Sequence, residues 1–236
     1  MIAGNKHPLA GRLIVLDGID GCGKKTQTGL LVEKLKKEGC KVKSIDFPRY
    51  YDNFFGKFIG ECLAGKHGDF VKLSPKIASV LYAADRFESA KQIKGWLDKG
   101  YTVVTDRYVS ANQIHQGGKI ADSSQRRKFL QWLQQMEFEI FQIPQPDVVI
   151  FLKVPVKVAQ SLLNNNQHSK KRYNHGKKDA HEKDVNHLQN AHRSALSLLR
   201  ENNNWLSVTC APQGKMLSKE KIATLVWEGL EEFFGF

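Results

Sequence analysis

Five short runs of apolar and β-branched residues are spread along the chain and predict five strands. They cover residues 12–17 (RLIVLD), 41–47 (KVKSIDF), 101–106 (YTVVTD), 147–153 (DVVIFLK) and 205–210 (WLSVTC). Several of these runs are continuously apolar rather than alternating, which is typical of strands buried on both faces of a parallel sheet.

Segments with helical periodicity separate the strands and carry recognisable start and stop signals. In residues 74–100, Ser74 is placed as an N-cap, Pro75 occupies the first helical position, and Gly100 follows the end. Ser218 is placed as a cap before an amphipathic repeat near the C-terminus. Strands that alternate with helices predict βαβ units, and therefore an α/β fold of three layers, with a five-stranded parallel sheet flanked by helices.

The chain shows no internal repeat and no linker rich in Pro, Gly or Ser. We therefore expect residues 1–236 to form one domain. Within it, residues 1–11 are expected to be a flexible N-terminus, and the polar, basic stretch over about 164–183 is expected to be a mobile lid.

Composition is ordinary for a soluble globular protein, with 41% hydrophobic and 25% charged residues. No apolar run approaches the roughly 20 residues of a membrane helix, and the N-terminus lacks the apolar core of a secretory signal. The four cysteines are scattered without C-x-x-C spacing, which favours free thiols in a reducing compartment. The cytoplasm is the expected location, and no membrane partner is expected.

The formal net charge of +12 indicates anionic partners, either nucleic acid or phosphorylated small molecules. Much of the excess lies in residues 168–178 (HSKKRYNHGKK), so a local role is the simpler explanation. The chain lacks the interleaved aromatic and basic residues of common RNA-binding modules, and no nucleic-acid partner is expected. The segment HEKDV resembles the start of a zinc-protease helix, but Val185 stands where the second histidine would be required.

Residues 18–27 (GIDGCGKKTQ) join the first predicted strand to a helix, which is the context of a phosphate-binding loop. The glycines allow successive backbone N–H groups to converge on phosphate oxygens at the helix N-terminus. Lys24 follows as the cation that reaches the β and γ phosphates; a plain tight turn is the alternative. The predicted ATP-binding set is Gly18, Ile19, Asp20, Gly21, Cys22, Gly23, Lys24, Lys25 and Thr26.

Lys25 departs from this pattern, because a Ser or Thr hydroxyl usually binds Mg²⁺ at that position. Thr26 comes one residue late and is rotated by about 100° around the helix, so it does not simply substitute. Either other groups hold the metal or the site has lost activity. The third predicted strand ends in Asp106 and Arg107, which could support the metal and bind a phosphate; a pair that merely closes the strand end is the alternative.

Together these motifs resemble those of the thymidylate kinase family, which has the P-loop NTPase fold. In order, they are GIDGCGKKTQ, FPRY (residues 47–50), LYAADR (81–86) and DRYVSANQIHQ (106–116), and DAHEKD (179–184) is similar to the acidic segment after the family's lid. The resemblance extends from about residue 13 to the C-terminus. It implies an enzyme that transfers the γ-phosphate of ATP to dTMP, giving ADP and dTDP for dTTP synthesis, with Mg²⁺ as cofactor.

The resemblance also assigns roles to individual residues on the acceptor side. Arg49 and Arg107 correspond to the pair that grips the acceptor phosphate, Tyr82 to the ring that stacks on thymine, and Arg86 to the base-carbonyl contact. His115 replaces a larger aromatic residue near the sugar, which leaves discrimination against ribose open. The implied dTMP-binding set is Asp20, Phe47, Arg49, Tyr82, Arg86, Arg107, Asn112, His115 and Gln116.

Family members place a catalytic cation either in the phosphate loop or in the lid. Gly21 and the basic stretch resemble the second group, with Lys170, Lys171 and Arg172 as the lid cations. The catalytic set that the resemblance implies is Asp20, Lys24, Arg107, Lys171 and Arg172. The implied metal set is Asp20, Asp106 and Glu182.

Two alternatives stay open from the residues alone. The first is a related kinase with another pyrimidine acceptor such as dUMP, or a deoxynucleoside. The second is a nucleotide-binding protein without turnover, because of Lys25. Family members are usually homodimers, and apolar residues within 129–141 (FLQWLQQMEFEIF) leave room for such an interface.

Overall fold

The computed structural model describes residues 7–165 and 185–236. The described strands are β1 (Leu13–Asp17), β2 (Val42–Asp46), β3 (Thr102–Asp106), β4 (Val148–Lys153) and β5 (Trp205–Thr209). They form one sheet in the order β2-β3-β1-β4-β5, and every neighbouring pair is parallel. Each strand falls within a run predicted from the sequence, so the predicted parallel sheet is confirmed.

Helices cover both faces of this sheet. The described helices are α1 (Lys24–Lys37), α2 (Phe54–Leu63), α3 (Pro75–Asp98), α4 (Val109–His115), α5 (Ser123–Gln134), α6 (Val156–Asn165), α7 (Val185–Glu201) and α8 (Lys219–Phe234). The predicted caps are present: the hydroxyl of Ser74 accepts from the N–H of Ile77 at 3.4 Å, and that of Ser218 from the N–H of Lys221 at 3.1 Å. Among the described helices, none combines the length and apolar character needed to cross a membrane.

The burial of each strand follows from its position in the sheet. All residues of β1 are buried, and β4 is buried up to Lys153, as continuous apolar runs require. In contrast, β2 carries polar residues and lies at the edge, where one side of the strand has no hydrogen-bonded neighbour among the described strands.

The carboxyl ends of the strands meet at one edge of the sheet, and acidic residues collect there. Asp106 is in register with Leu16 of β1 and with Asp46 of β2. In parallel α/β sheets this edge is where ligands bind, and the phosphate loop leaves β1 there. The order of the strands therefore brings the two candidate motifs, loop and DRY segment, side by side.

The segment ahead of β1 contacts the domain from residue 7 onward. Leu9 is fully buried, and its carbonyl accepts a hydrogen bond of 2.8 Å from the hydroxyl of Thr102. Residues 7–11 thus have a packing role that was not foreseen when 1–11 was expected to be flexible. The predicted lid residues Lys170, Lys171, Arg172, Asp179 and Glu182 lie outside the described residues.

Candidate active site

A cavity of about 770 Å³ opens at the carboxyl edge of the sheet. Its described lining includes most of the residues that the motifs had singled out. These are Asp20, Gly21, Cys22, Gly23, Lys24, Lys25, Thr26, Phe47, Tyr82, Arg86, Asp106, Arg107, Asn112, His115 and Gln116. The structure therefore brings the loop, the LYAADR helix and the DRY segment to one site. Gly18, Ile19 and Arg49 are not in this lining.

The phosphate loop holds its lysine in a fixed position. Lys24 is buried, and its ammonium donates to the carbonyl oxygens of Gly18 and Ile19, at 3.0 Å each. These two residues thus serve the site through their backbone, while the side chain of Ile19 is in the core. The same ammonium lies 3.9 Å from Asp20 Oδ1. Since α1 begins at Lys24, the positive end of the helix dipole points at this part of the cavity.

Gly21 cannot be replaced by a residue with a side chain without moving the backbone around it. Its φ is +85°, and a Cβ placed there would lie 2.5 Å from the carbonyl oxygen of Ala159 on α6. The tight packing of α6 on the loop explains why a cation cannot come from this position. Lys25 and Thr26 are both exposed and both line the cavity.

Arg107 lies between the loop and α4, held from two sides. Its backbone has a φ of +67°, which is unusual for a residue with a side chain and typical of functional sites. Its guanidinium pairs with the carboxylate of Asp20 and lies 3.0 Å from His115 Nε2. His115 Nδ1 in turn lies 3.3 Å from Nε2 of His187, on α7.

Two carboxylates, Asp46 and Asp106, line the cavity next to each other across the β2–β3 ladder. Burial raises the pKa of Asp106, and the positive charges of Lys24 and Arg107 oppose that shift. Among the described residues, no group of three or more Asp, Glu, His or Cys side chains is arranged to hold a metal. Mg²⁺ commonly uses one or two carboxylates and completes its shell with water and phosphate oxygens, which this donor set fits.

The acceptor side combines rings and amides. Tyr82 stands edge-to-face against Phe70 with ring centroids 5.8 Å apart. The amide nitrogen of Asn112 donates to the carbonyl of Ser79 at 3.2 Å. Gln116 is buried, and its amide oxygen has no hydrogen-bond partner in the described part of the chain.

Arg86 lines the cavity but is engaged in a buried ion pair. Its Nε donates to Glu137 at 2.8 Å, its Nη2 pairs with the same carboxylate, and its Nη1 donates to the carbonyl of Tyr108 at 3.3 Å. Burial by itself would lower the pKa of Arg86, but the charge and hydrogen bonds of Glu137 raise it. Arg86 is thus a structural group as well as a wall of the cavity.

Arg49 points away from the cavity lining toward α3. Its Nη1 donates to Ser89 at 3.1 Å, and its Nη2 lies 3.4 Å from Asp52. Asp85 anchors the same loop by accepting from the N–H of Arg49 at 3.1 Å and from Asn53 at 2.8 Å. Burial raises the pKa of Asp85, and the hydrogen bonds of Asn53 and Arg49 oppose the shift.

Four residues that form or support the site were missed by reasoning from the sequence: Asp46, Asp85, Glu137 and His187. Glu137 is a charged residue inside an apolar run, which is a weak sign of a buried ion pair. No residue near it in the sequence indicates its partner. Asp85 lies within the LYAADR motif, but no role was assigned to it. His187 follows a biased segment and has no motif of its own.

The partly buried imidazole of His115 predicts a loss of stability in mild acid. Burial, followed by the charge of Arg107, holds the pKa of His115 well below its usual value. The unfolded chain therefore takes up this proton near pH 6.5 while the folded chain resists it, so the free energy of unfolding falls as the pH drops below about 6.5. Between pH 6.5 and 5.5, we expect the free energy of unfolding of His115→Gln to fall by about 1 kcal/mol less than that of the wild type. Urea denaturation at each pH measures the difference, and equal losses would contradict it.

The parallel order β2-β3-β1-β4-β5, with a phosphate loop after β1, defines a P-loop NTPase fold. The thymidylate kinase family model matches residues 16–222. The thymidylate kinase of Mycobacterium tuberculosis is 33% identical over 148 residues, which cover 62% of this chain and 68% of that protein. That of Schizosaccharomyces pombe is 32% identical over 163 residues, covering 69% of each. The solved structure of thymidylate kinase from Candida albicans superposes with a TM-score of 0.70 at 23% identity, covering 94% of this chain and 92% of that one. This chain belongs to the thymidylate kinase family.

Proposed function

We propose that the protein is a thymidylate kinase, which transfers the γ-phosphoryl group of ATP to dTMP and releases ADP and dTDP for dTTP synthesis. Membership of the family supports this. The observation that best supports this activity is the position of Arg107, which lies in the cavity between the phosphate loop and the proposed acceptor-binding residues. An arginine fork at that place suits a phosphate dianion.

Transfer then needs alignment and charge neutralisation rather than covalent help. The loop N–H groups and Lys24 hold the donor phosphates, and Arg107 orients the acceptor phosphate. An oxygen of that phosphate attacks the γ-phosphorus in line while the bond to the β–γ bridging oxygen breaks. Lys171 and Arg172, outside the described residues, are proposed to add positive charge around the transferring group.

Mg²⁺ is proposed to be held by Asp106, with Asp20 and Glu182 contributing directly or through water. The ion would neutralise charge on the donor phosphates. Asp20 is shared with Arg107 in the structure, which leaves Asp106 as the carboxylate best placed for it, with Asp46 beside it. Glu182 lies outside the described residues.

The acceptor base is proposed to lie against Tyr82, with Phe47, Asn112 and Gln116 around it. The unpartnered amide oxygen of Gln116 is a buried acceptor that supports this placement. Arg86 contributes the cavity wall. A role for Arg49 in binding phosphate requires its side chain to leave Ser89 and Asp52.

The direct test is ADP formation from ATP and Mg²⁺ with dTMP, dUMP, UMP or thymidine as acceptor. We expect turnover with dTMP to exceed that with the other acceptors. Faster turnover with dUMP or thymidine would favour a related kinase. ATP binding without any acceptor-dependent ADP would favour the nucleotide-binding protein without turnover.

Lys25→Ser is expected to restore a hydroxyl at the usual metal-binding position of the loop. The variant should reach half-maximal activity at a lower Mg²⁺ concentration, with kcat close to that of the wild type. Activity measured across a Mg²⁺ titration checks this. Loss of nucleotide binding would contradict it, and would show that the charge of Lys25 is itself required.

We also propose that the protein acts in the cytoplasm as a homodimer. Within the segment that leaves room for an interface, residues 129–141, Phe129 and Leu133 are buried in the core, whereas Ile140 is exposed. Other large exposed apolar side chains lie on α2 and α3: Phe54, Ile77, Val80 and Phe87. Contiguous exposed apolar surface is typical of interaction sites, and we propose that these side chains form the dimer interface.

Phe87→Glu tests that surface, since Phe87 is 52% exposed and packs against Phe141 with centroids 5.1 Å apart. Sedimentation should show a shift from dimer to monomer. Phe236→Glu is the matched control, because Phe236 packs near Trp227 of α8. Dissociation by the control alone would place the interface elsewhere.

A further inference from the structure

His187 lies on α7, which begins at residue 185, and it completes a chain of contacts into the active site. Arg107 Nη1 lies 3.0 Å from His115 Nε2, and His115 Nδ1 lies 3.3 Å from His187 Nε2. The two imidazole rings are nearly parallel, with an interplanar angle of 15°. His187 is buried and lines the same cavity.

The hydrogen bonds fix the tautomer of each imidazole. A guanidinium has donors only, so His115 Nε2 must accept from Arg107 and carries no proton. The proton of neutral His115 is therefore on Nδ1, which donates to Nε2 of His187. It follows that His187 also carries its proton on Nδ1. Both rings are neutral in this arrangement.

Arg107 needs such support because its own backbone does not favour the position. A residue with a side chain at a φ of +67° persists only where its surroundings hold it. Asp20 holds the guanidinium from the loop side, and His115 holds it from the α4 side. A guanidinium fixed before the phosphate arrives loses less entropy on binding it.

We propose that His187 is a positioning residue: by fixing the tautomer and orientation of His115, it aims the guanidinium of Arg107 at the acceptor phosphate. The proposal rests on the proposed function for the identity of the acceptor. It assigns to α7 a specific role in binding the phosphate of the acceptor, and none in binding its base or ATP.

The arrangement depends on neutral imidazole rings, and charged and titratable groups surround His115. Arg107, Lys24 of α1, Asp20 of the loop and His187 of α7 face it. A proton on either imidazole would break the chain, since Nε2 of His115 would then oppose an N–H of Arg107 or Nε2 of His187 would oppose Nδ1–H. Because burial and the charge of Arg107 hold the pKa of His115 well below its usual value, the folded protein keeps this ring neutral in mild acid.

The test compares three variants of α7. His187→Leu removes the acceptor for His115 and should raise KM for dTMP by about five- to tenfold, with KM for ATP and the binding of unphosphorylated thymidine unchanged. His187→Gln offers an amide oxygen near the place of Nε2 and should recover most of the loss. His192→Leu is the matched control on the same helix, where His192 packs against Phe151 instead, and should behave as the wild type.

Equal weakening of dTMP and thymidine in His187→Leu, or no change in either, would overturn the proposal. So would a failure of His187→Gln to recover in a folded protein. A long-range ¹⁵N–¹H correlation spectrum of the wild type reads the tautomers directly, and protonated Nε2 on His115 would also overturn it. A wild type with these tautomers but no dTMP-dependent ADP formation would instead refute the proposed function.

Discussion

Arg107→Met is expected to lower kcat/KM for dTMP by about three orders of magnitude. The substitution keeps much of the side-chain volume but removes the cation and both arms of the fork that would bind the acceptor phosphate. It also removes the ion pair that Arg107 makes with the carboxylate of Asp20. Steady-state kinetics with each substrate varied in turn measures the loss, which we expect mainly with dTMP.

Two controls sharpen this prediction. Arg107→Lys keeps the charge but not the planar fork, so it should fall between the wild type and Arg107→Met. Arg12→Met makes the same substitution in an ion pair with Asp147 at 2.6 Å, outside the described lining of the cavity, and should leave kinetics unchanged. A loss confined to KM for ATP would contradict the prediction, because Arg107 would then belong to the donor side.

Glu137→Leu is expected to destabilise the protein by about 3–5 kcal/mol, because it leaves the cation of Arg86 buried without its partner. Glu137 is fully buried and Arg86 is 2% exposed, so water cannot replace the lost carboxylate. Urea denaturation measures the free energy of unfolding. The double variant Arg86→Met, Glu137→Leu removes both charges and should recover most of the loss.

The exposed pair of Lys34 and Glu38, joined at 2.6 Å on α1, is the matched control. Glu38→Leu should lower the free energy of unfolding far less than Glu137→Leu does, since solvent screens an exposed pair. A double variant as unstable as Glu137→Leu would show that packing, rather than the unpaired charge, causes the loss. Kinetics of Arg86→Met in its folded fraction would then separate the structural role of Arg86 from the base contact implied by the family.

Much of the fold could be predicted because its signals are local. The apolar runs at 12–17 and 147–153 are long enough, and sufficiently free of polar residues, to require burial on both faces. Ser74 and Ser218 cap their helices through contacts three residues away. The glycines and Lys24 of the loop likewise act within a few residues of one another, so the phosphate loop could be predicted without knowledge of the fold.

The partners of the charged groups could not be predicted from the sequence, because they lie far apart along the chain. Arg86 and Glu137 are 51 residues apart, His115 and His187 are 72, and Asp20 and Arg107 are 87. A sequence shows that a cation or an imidazole is present, but not which group will neutralise or orient it. Arg49 is an example, since the family resemblance assigns it to the acceptor phosphate and only the structure shows its contacts with Ser89 and Asp52.

The sequence by itself determined the strands, the capped helices, the phosphate loop and the family resemblance, because each depends on residue types at short spacing. Only the tertiary structure decided which side chains share the cavity, and which are engaged elsewhere. Burial is the physical reason, because a charge or a hydrogen-bonding group inside the protein needs a partner. Only the folded chain brings partners that are distant in sequence within reach.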